Sequence, residues 1–371
     1  RGLIALAENE AQLASVLAHE IAHVTARHSA QRYGSQQLAG IASVLSGALL
    51  GRPAGQATAA LSQVAIASYS RDQELEADTL GIRYLSRAGY DPDASAAFLA
   101  KLQAESDLQA ELAGDPDAAN DFSLLQTHPR TMARVREAMA RAETARVADP
   151  MSAREVYLPK LDGLLYGDAP AQGFVRGRRF LHPDLRLAFQ VPEGFRMQNG
   201  QNSVKARGAG GLMVFAGAPK AGGRDPAAYL RDVWADNVAL RALTRVRING
   251  MRGATALARA RTRSGTRTVR LAAVRYDRET TYRFLFVPDG PGPPERLADT
   301  VLTSFRKLSQ AEAAELEPRR LRLYTVQPGD TQRSLAERLP YDDLPLRRFQ
   351  VLNGLQPGDP LRPGQTVKLV D

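Results

Sequence analysis

Cysteine is absent from all 371 residues. Its absence excludes disulfides, Cys-ligated zinc, iron–sulfur clusters and thiol catalysis, and assigns no compartment. Lysine is scarce: only 6 of the 49 basic residues are Lys. So arginine- and alanine-heavy a composition often reflects a GC-rich genome, and the choice of Arg carries little chemistry. Long apolar runs are missing too. The uncharged, small-residue stretch from Leu38 to Gly51 is 14 residues long, short of the roughly 18 that a spanning helix needs. Its length suits a buried helix or an interfacial element. No repeat of 20–50 residues recurs, which argues against a solenoid. What remains is ordinary globular composition, 44% hydrophobic and 24% charged, which excludes wholesale disorder and collagen-like structure.

The net charge of +9 is spread unevenly. Residues 1–170 carry −6, residues 171–310 carry +15 and residues 311–371 are neutral. Three segments of different character follow. The first reads helical over 5–33, 56–88, 94–113 and 130–146, with Pro92, Pro116, Pro129 and Pro150 at the ends of these runs. The second turns to short β-rich runs at 187–192, 211–215, 269–274 and 281–287, interrupted by helical pieces near 227–237 and 297–305. Residues 309–322 read as a charged, helix-prone linker. The expected architecture is therefore multidomain: a mainly α domain over 1–150, a basic α+β sandwich over 171–308, and a small βααβ unit over 323–371.

The most informative residues are His19-Glu20-Ile21-Ala22-His23, inside a helical run. At 3.6 residues per turn His19 and His23 share one helix face, so two imidazoles can chelate one Zn²⁺. Glu20 beside them is placed to hold an attacking water. Catalytic zinc needs a third protein ligand, and the segment from Ser70 to Asp78 offers carboxylates on another helix. Glu74 and Asp78 lie four apart on one face, whereas Glu76 is about 200° around from Glu74. Glu74 is the expected ligand, with Asp78 hydrogen-bonding a ligating His and Glu76 solvated or salt-bridged. His28 is nine residues beyond His19, about 180° around an unbroken helix, and is expected to take no part. His182 reads as a loop histidine.

This pattern, His19-Glu20-x-x-His23 followed by Glu74-x-x-Ala77-Asp78, resembles the gluzincin metallopeptidases of the HtpX and CAAX-prenyl-protease class. Gly2-Leu3-Ile4, Arg27-His28, Tyr69-Ser70-Arg71 and Gly89-Tyr90-Asp91-Pro92 bring it closest to the periplasmic BepA-like branch. The resemblance covers about residues 1–146. It implies zinc-dependent endopeptidase activity, with one Zn²⁺ per chain, on misfolded or stalled proteins of the bacterial cell envelope. A periplasmic location follows, with any signal peptide removed or upstream of Arg1. The same branch carries a Thr-His-Pro signature, here Thr127-His128-Pro129, and an Arg five residues on, here Arg134. By resemblance His128 is a fourth ligand of a closed state or a transition-state donor, and Arg134 a stabiliser of the oxyanion. The alternative for both is capping and packing of the last helix.

The C-terminal unit reads as strand, turn and helix N-cap over 324–331, a second helix ending at Gly354, and a closing turn and strand over 361–369. It resembles a LysM module. That resemblance implies binding of N-acetylglucosamine-containing glycans, chiefly peptidoglycan, with Gly329, Asp330, Thr331, Asn353 and Gly354 as candidate contacts. The middle segment is similar to the PsbP-like sandwich in Phe189-x-Val191-Pro192-x-Gly194-Phe195 and Thr303-Ser304-Phe305. It shows no catalytic constellation. Its charge suits an adaptor role or an anionic envelope surface; no aromatic-interleaved basic motif points to nucleic acid. The competing function is a peptidoglycan-bound, chaperone-like protein whose metal site is closed or inactive.

Overall fold

The computed structural model describes residues 2–31, 69–114, 132–145, 147–262, 265–290 and 294–371. The chain divides into two compact units, Arg1–Leu164 with Arg320–Asp371, and Leu165–Arg319. The stretch from Leu38 to Gly51 lies outside the described residues. Among the described residues no helix is long and apolar enough to cross a membrane.

The first unit is helical at its N-terminal end. It contains α1 (Gly2–Leu6), α2 (Glu10–Thr25), α3 (Arg71–Arg87), α4 (Asp93–Ala113), α5 (Met132–Thr144) and the short α6 (Arg154–Tyr157). Local chemistry sets the ends. The Asn9 side chain accepts from the Gln12 N–H, and Glu10 lies in the first turn of α2, at the positive end of its dipole. Ser70 and Gln73 form a reciprocal capping box at the start of α3. Gly114, left-handed at φ 62°, stops α4. Ala11, Ala18, Leu85 and Ala94 pack in one cluster, and Ile82, Ala96 and Ala138 in another.

The second unit is built from two antiparallel sheets. One has four strands in the order β1 (Phe174–Arg176), β2 (Arg179–His182), β3 (Leu187–Gln190) and β11 (Arg306–Lys307). The other has seven, in the order β4 (Arg196–Asn199), β5 (Val204–Gly208), β6 (Gly211–Gly217), β10 (Thr281–Val287), β9 (Gly265–Arg275), β8 (Met251–Thr262) and β7 (Arg241–Ile248). Phe180 and Phe189 of the small sheet, Phe215 and Phe284 of the large one, and Val301 of α8 (Glu295–Ser304) share a core. The opposite face of the large sheet is covered by α7 (Pro226–Tyr229) and the turn of π-helix after it. Ala254, Ala256 and Ala258 of β8 pack there against Ala227, Tyr229 and Leu230. His182 is not a loop residue: it ends β2, 5% exposed, and its Nδ1 accepts from the Leu185 N–H. Residues 309–322 are not all linker either. Gln310–Ala314 forms one capped turn, α9, and Leu321 and Arg322 already pair in a strand.

That strand, β12 (Leu321–Thr325), pairs antiparallel with β13 (Thr366–Val370), and α10 (Gln332–Ala336) and α11 (Pro345–Asn353) lie between them in sequence. This βααβ segment packs within the first unit rather than forming a compact unit of its own. A buried ionic cluster joins it to the helices. The Glu8 carboxylate pairs with Lys101 of α4, with Lys368 of β13 at 2.8 Å and with Arg154 of α6 at 2.8 Å. Lys368, fully buried, also donates to the carbonyls of Ala5, Leu6 and Ala7 just before α2. Lys101 donates to the Leu352 carbonyl. Burial pushes the Glu8 carboxyl up, but the ammonium groups of Lys368 and Lys101 and hydrogen bonds from Arg154 and Lys101 outweigh it and hold it well below its usual range.

Candidate metal centre

α2 and α3 meet through small residues. Ala18 and Ala22 of α2 and Ala77 and Gly81 of α3 are all buried. A β-carbon at Gly81 would stand 3.2 Å from the His19 amide nitrogen, so only glycine leaves the backbones at this spacing undisturbed. The close crossing brings His19 and His23 against Glu74. Their Nε2 atoms are 3.0 Å apart, and Glu74 carboxylate oxygens lie 3.4 Å from His23 Nε2 and 3.7 Å from His19 Nε2. Four-coordinate zinc with ligand bonds of about 2.0–2.1 Å separates its ligand atoms by roughly 3.3 Å.

The donors also fit a cation chemically. Asp78 Oδ1 lies 2.9 Å from His19 Nδ1. A carboxylate accepts only, so Nδ1 carries the proton and a neutral ring turns a lone pair at Nε2 toward His23 and Glu74. Two imidazole nitrogens and a carboxylate converging at this distance form a group able to hold a metal ion. The set of two nitrogens and one oxygen suits zinc.

Carboxylates at the site are balanced by Arg134 of α5. Its Nε and Nη2 donate to Asp78, each at 2.7 Å, and Nη1 pairs with Glu74. Burial pushes the Asp78 carboxyl up, and the hydrogen bonds from Arg134 and His19 more than reverse it, leaving it below the ordinary carboxylate range. The guanidinium, 3% exposed, is thus engaged by both carboxylates of the site. Two carboxylates at 1% and 4% exposure need a countercharge, and Arg134 supplies it. Glu20, half-buried, follows His19 on α2. His128 lies outside the described residues, as do Thr127 and Pro129.

The residue missed by sequence reasoning is His28. α2 ends at Thr25, and Arg27 takes a left-handed φ of 57°. The chain folds back, so His28 is fully buried with Nδ1 2.9 Å from His23 Nδ1 and Nε2 3.2 Å from Glu76 Oε2. Extrapolating a straight helix put it on the wrong side. A histidine just past a helix end was the only available signal.

The candidate glycan contacts are placed as follows. Gly329 is in the left-handed region (φ 91°). Asp330 accepts from the Gln327 N–H and the Tyr324 hydroxyl, and Thr331 caps α10. Asn353, 8% exposed, is occupied inside the module: its amide donates to the Phe349 and Lys368 carbonyls and accepts from the Lys368 N–H. Gly354, itself exposed, ends α11, and a β-carbon there would lie 3.5 Å from Lys101 Nζ, so this end of the module neighbours α4.

Comparison with known proteins agrees with both patterns. Residues 1–142 match Peptidase family M48, and residues 324–370 match the LysM domain, so a domain of each kind is present. The beta-barrel assembly-enhancing protease of Escherichia coli K12 is 35% identical over 168 residues, 43% of this chain and 33% of that protein. The protein of the same name from Yersinia pestis is 37% identical over 171 residues, with the same coverage of 43% and 33%. The mitochondrial metalloendopeptidase OMA1 of Schizosaccharomyces pombe is 30% identical over 136 residues, 37% of this chain and 38% of its own. The chain thus spans about a third of the length of the curated relatives it matches. A crystal structure from Bacteroides thetaiotaomicron VPI-5482 aligns over 44% of this chain and 57% of that one, at 15% identity and a TM-score of 0.29, too low to bear on the fold.

Proposed function

We propose that the helical domain is a zinc-dependent endopeptidase of the bacterial cell envelope that cleaves misfolded or stalled envelope proteins. The observation that carries this reading is the convergence of His19, His23 and Glu74 beside Glu20 where α2 and α3 pack together. The relatives that are proteases in name support peptide-bond hydrolysis and protein substrates. The same reading places the chain in the periplasm, with the LysM domain directed to peptidoglycan and the basic middle unit to an anionic envelope surface; no nucleic-acid partner is expected.

His19, His23 and Glu74 would hold the ion. When bound, zinc supplies Lewis acidity that polarises the scissile carbonyl and acidifies a water. The chain's own residues do the rest. Glu20 takes the proton of the attacking water and returns it to the leaving amine. Asp78 fixes the proton of His19 on Nδ1, and Arg134 keeps Asp78 ionised and holds Glu74 in place. His128, where it approaches the metal, restrains the resting enzyme.

Cleavage of casein tests the reading. The purified chain is expected to cut it, to stop when zinc is removed by a chelator, and to recover on addition of one equivalent of zinc. A chain that binds zinc yet cuts nothing would favour the chaperone-like alternative.

A further inference from the structure

The metal site is held by two different arrangements on its two histidines. On one side His19 Nδ1 meets Asp78 directly, 2.9 Å away. On the other, His23 Nδ1 meets a second imidazole, that of His28, and only then a carboxylate, Glu76. From this contrast we infer that His28 and Glu76 form a relay that positions His23 as a metal ligand. The inference rests on the zinc reading above.

Proton placement along the relay follows from donor and acceptor chemistry. Glu76 only accepts, so with neutral rings the proton of His28 sits on Nε2, leaving Nδ1 as an acceptor. The short Nδ1–Nδ1 contact then requires the His23 proton on Nδ1, and its Nε2 lone pair faces His19 and Glu74. One exposed carboxylate, 59% accessible, thereby sets the tautomer of a ring that is 2% accessible. Orientation is fixed as well as protonation. Tyr69 stacks on the His23 ring with centroids 4.0 Å apart at 28°, and its hydroxyl lies 3.1 Å from that of Ser29, next to His28. The geometry depends on backbone strain. Arg27 holds φ at 57°, a conformation that L residues rarely adopt and keep where surrounding contacts demand it. Without that reversal α2 would carry His28 away from His23.

His28 is a positioning residue, so its test reads metal affinity rather than turnover. The zinc dissociation constant of the full chain is measured by chelator competition for wild type, His28→Ala, His28→Asn, Glu76→Ala and the double variant His28→Asn/Glu76→Ala. Helix content and apo-protein melting are recorded alongside. His28→Ala is expected to weaken zinc by about ten- to a hundredfold, the usual effect of losing such a partner. His28→Asn places an amide oxygen near the position of Nδ1 and needs no help from Glu76. It should recover most of the affinity, and adding Glu76→Ala to it should cost nothing further, although Glu76→Ala alone weakens binding. Nitrogen NMR of the zinc-loaded wild type should show His23 protonated at Nδ1. If His28→Ala binds zinc within twofold of wild type, or if Ala and Asn fall equally in proportion to lost apo stability, the relay is overturned. If the wild type itself binds no zinc, the metal reading fails and the relay with it.

Discussion

Gly81 on α3 lies against the main chain of His19 on α2, with its absent β-carbon position 3.2 Å from the His19 nitrogen and 3.3 Å from its Cα. The neighbour is backbone on a packed helix and has little room to give. Replacing Gly81 by Ala gains about 1 kcal/mol of helix propensity, which offsets the crowding. Gly81→Val loses most of that gain and adds two methyl groups, so it should destabilise by about 1–3 kcal/mol. Because the push falls on His19, both variants should bind zinc more weakly than wild type, Val more than Ala. Urea unfolding of the apo protein and zinc competition, run together, separate the two effects. Unchanged zinc affinity in Gly81→Val would show that the close approach does not position the ligand.

Glu74 and Glu76 differ by two positions and by almost everything else. Glu74 is 1% exposed and lies within 3.7 Å of both imidazole Nε2 atoms, whereas Glu76 is 59% exposed and pairs with His28. Glu74→Gln should therefore lose most of its zinc. Glu76→Gln keeps a carbonyl oxygen that can accept from His28 and should lose little. Equilibrium dialysis followed by metal analysis checks this; equal retention would mean that the wrong carboxylate was assigned.

The cluster joining the C-terminal module to the helices is asymmetric, with one carboxylate serving Lys101, Lys368 and Arg154. Glu8→Gln takes from two buried ammonium groups the carboxylate they share and should cost about 3–5 kcal/mol. Lys368→Met leaves the Glu8–Lys101 pair intact and takes donors from three carbonyls, a smaller loss. The acid dependence has a definite sign. Glu8 is depressed from its ordinary 4.5 in the folded chain, so its contribution is complete above about pH 4.5 and fades as the pH falls below that. Denaturant midpoints at pH 7, 5 and 3 should show the gap between wild type and Glu8→Gln narrowing only in the most acid series. A constant gap would remove the charge from the explanation. Lys101 is held far below its usual 10.5, chiefly by burial and next by Lys368, so its penalty eases as the pH rises toward that value.

How far the sequence disclosed this structure depends on the range of the interactions involved. His19, His23, Glu74 and Asp78 were legible because each pair sits on one helix, where spacing alone decides the face. His28 was not, because a single left-handed residue, Arg27, redirects the chain and no periodicity records it. β7 and β8 were passed over for a different reason. Met251–Thr262 is built of Ala and Arg, residues poor in β-propensity, and it forms a strand because alternate alanines let the α7 turn lie close on the sheet. Lys368 gave no warning at all. An isolated lysine in a strand reads as solvated, and its burial comes from Glu8 and from carbonyls more than 350 positions away.

In the proposed zinc-dependent cleavage Glu20 moves the proton. The most direct measurement is the rate of casein hydrolysis by wild type and Glu20→Gln, each verified to hold one zinc per chain and the same helix content. Equal zinc and a fall in rate of at least a hundredfold are expected in Glu20→Gln, because the amide cannot accept the water's proton. Equal rates at equal zinc content would contradict it.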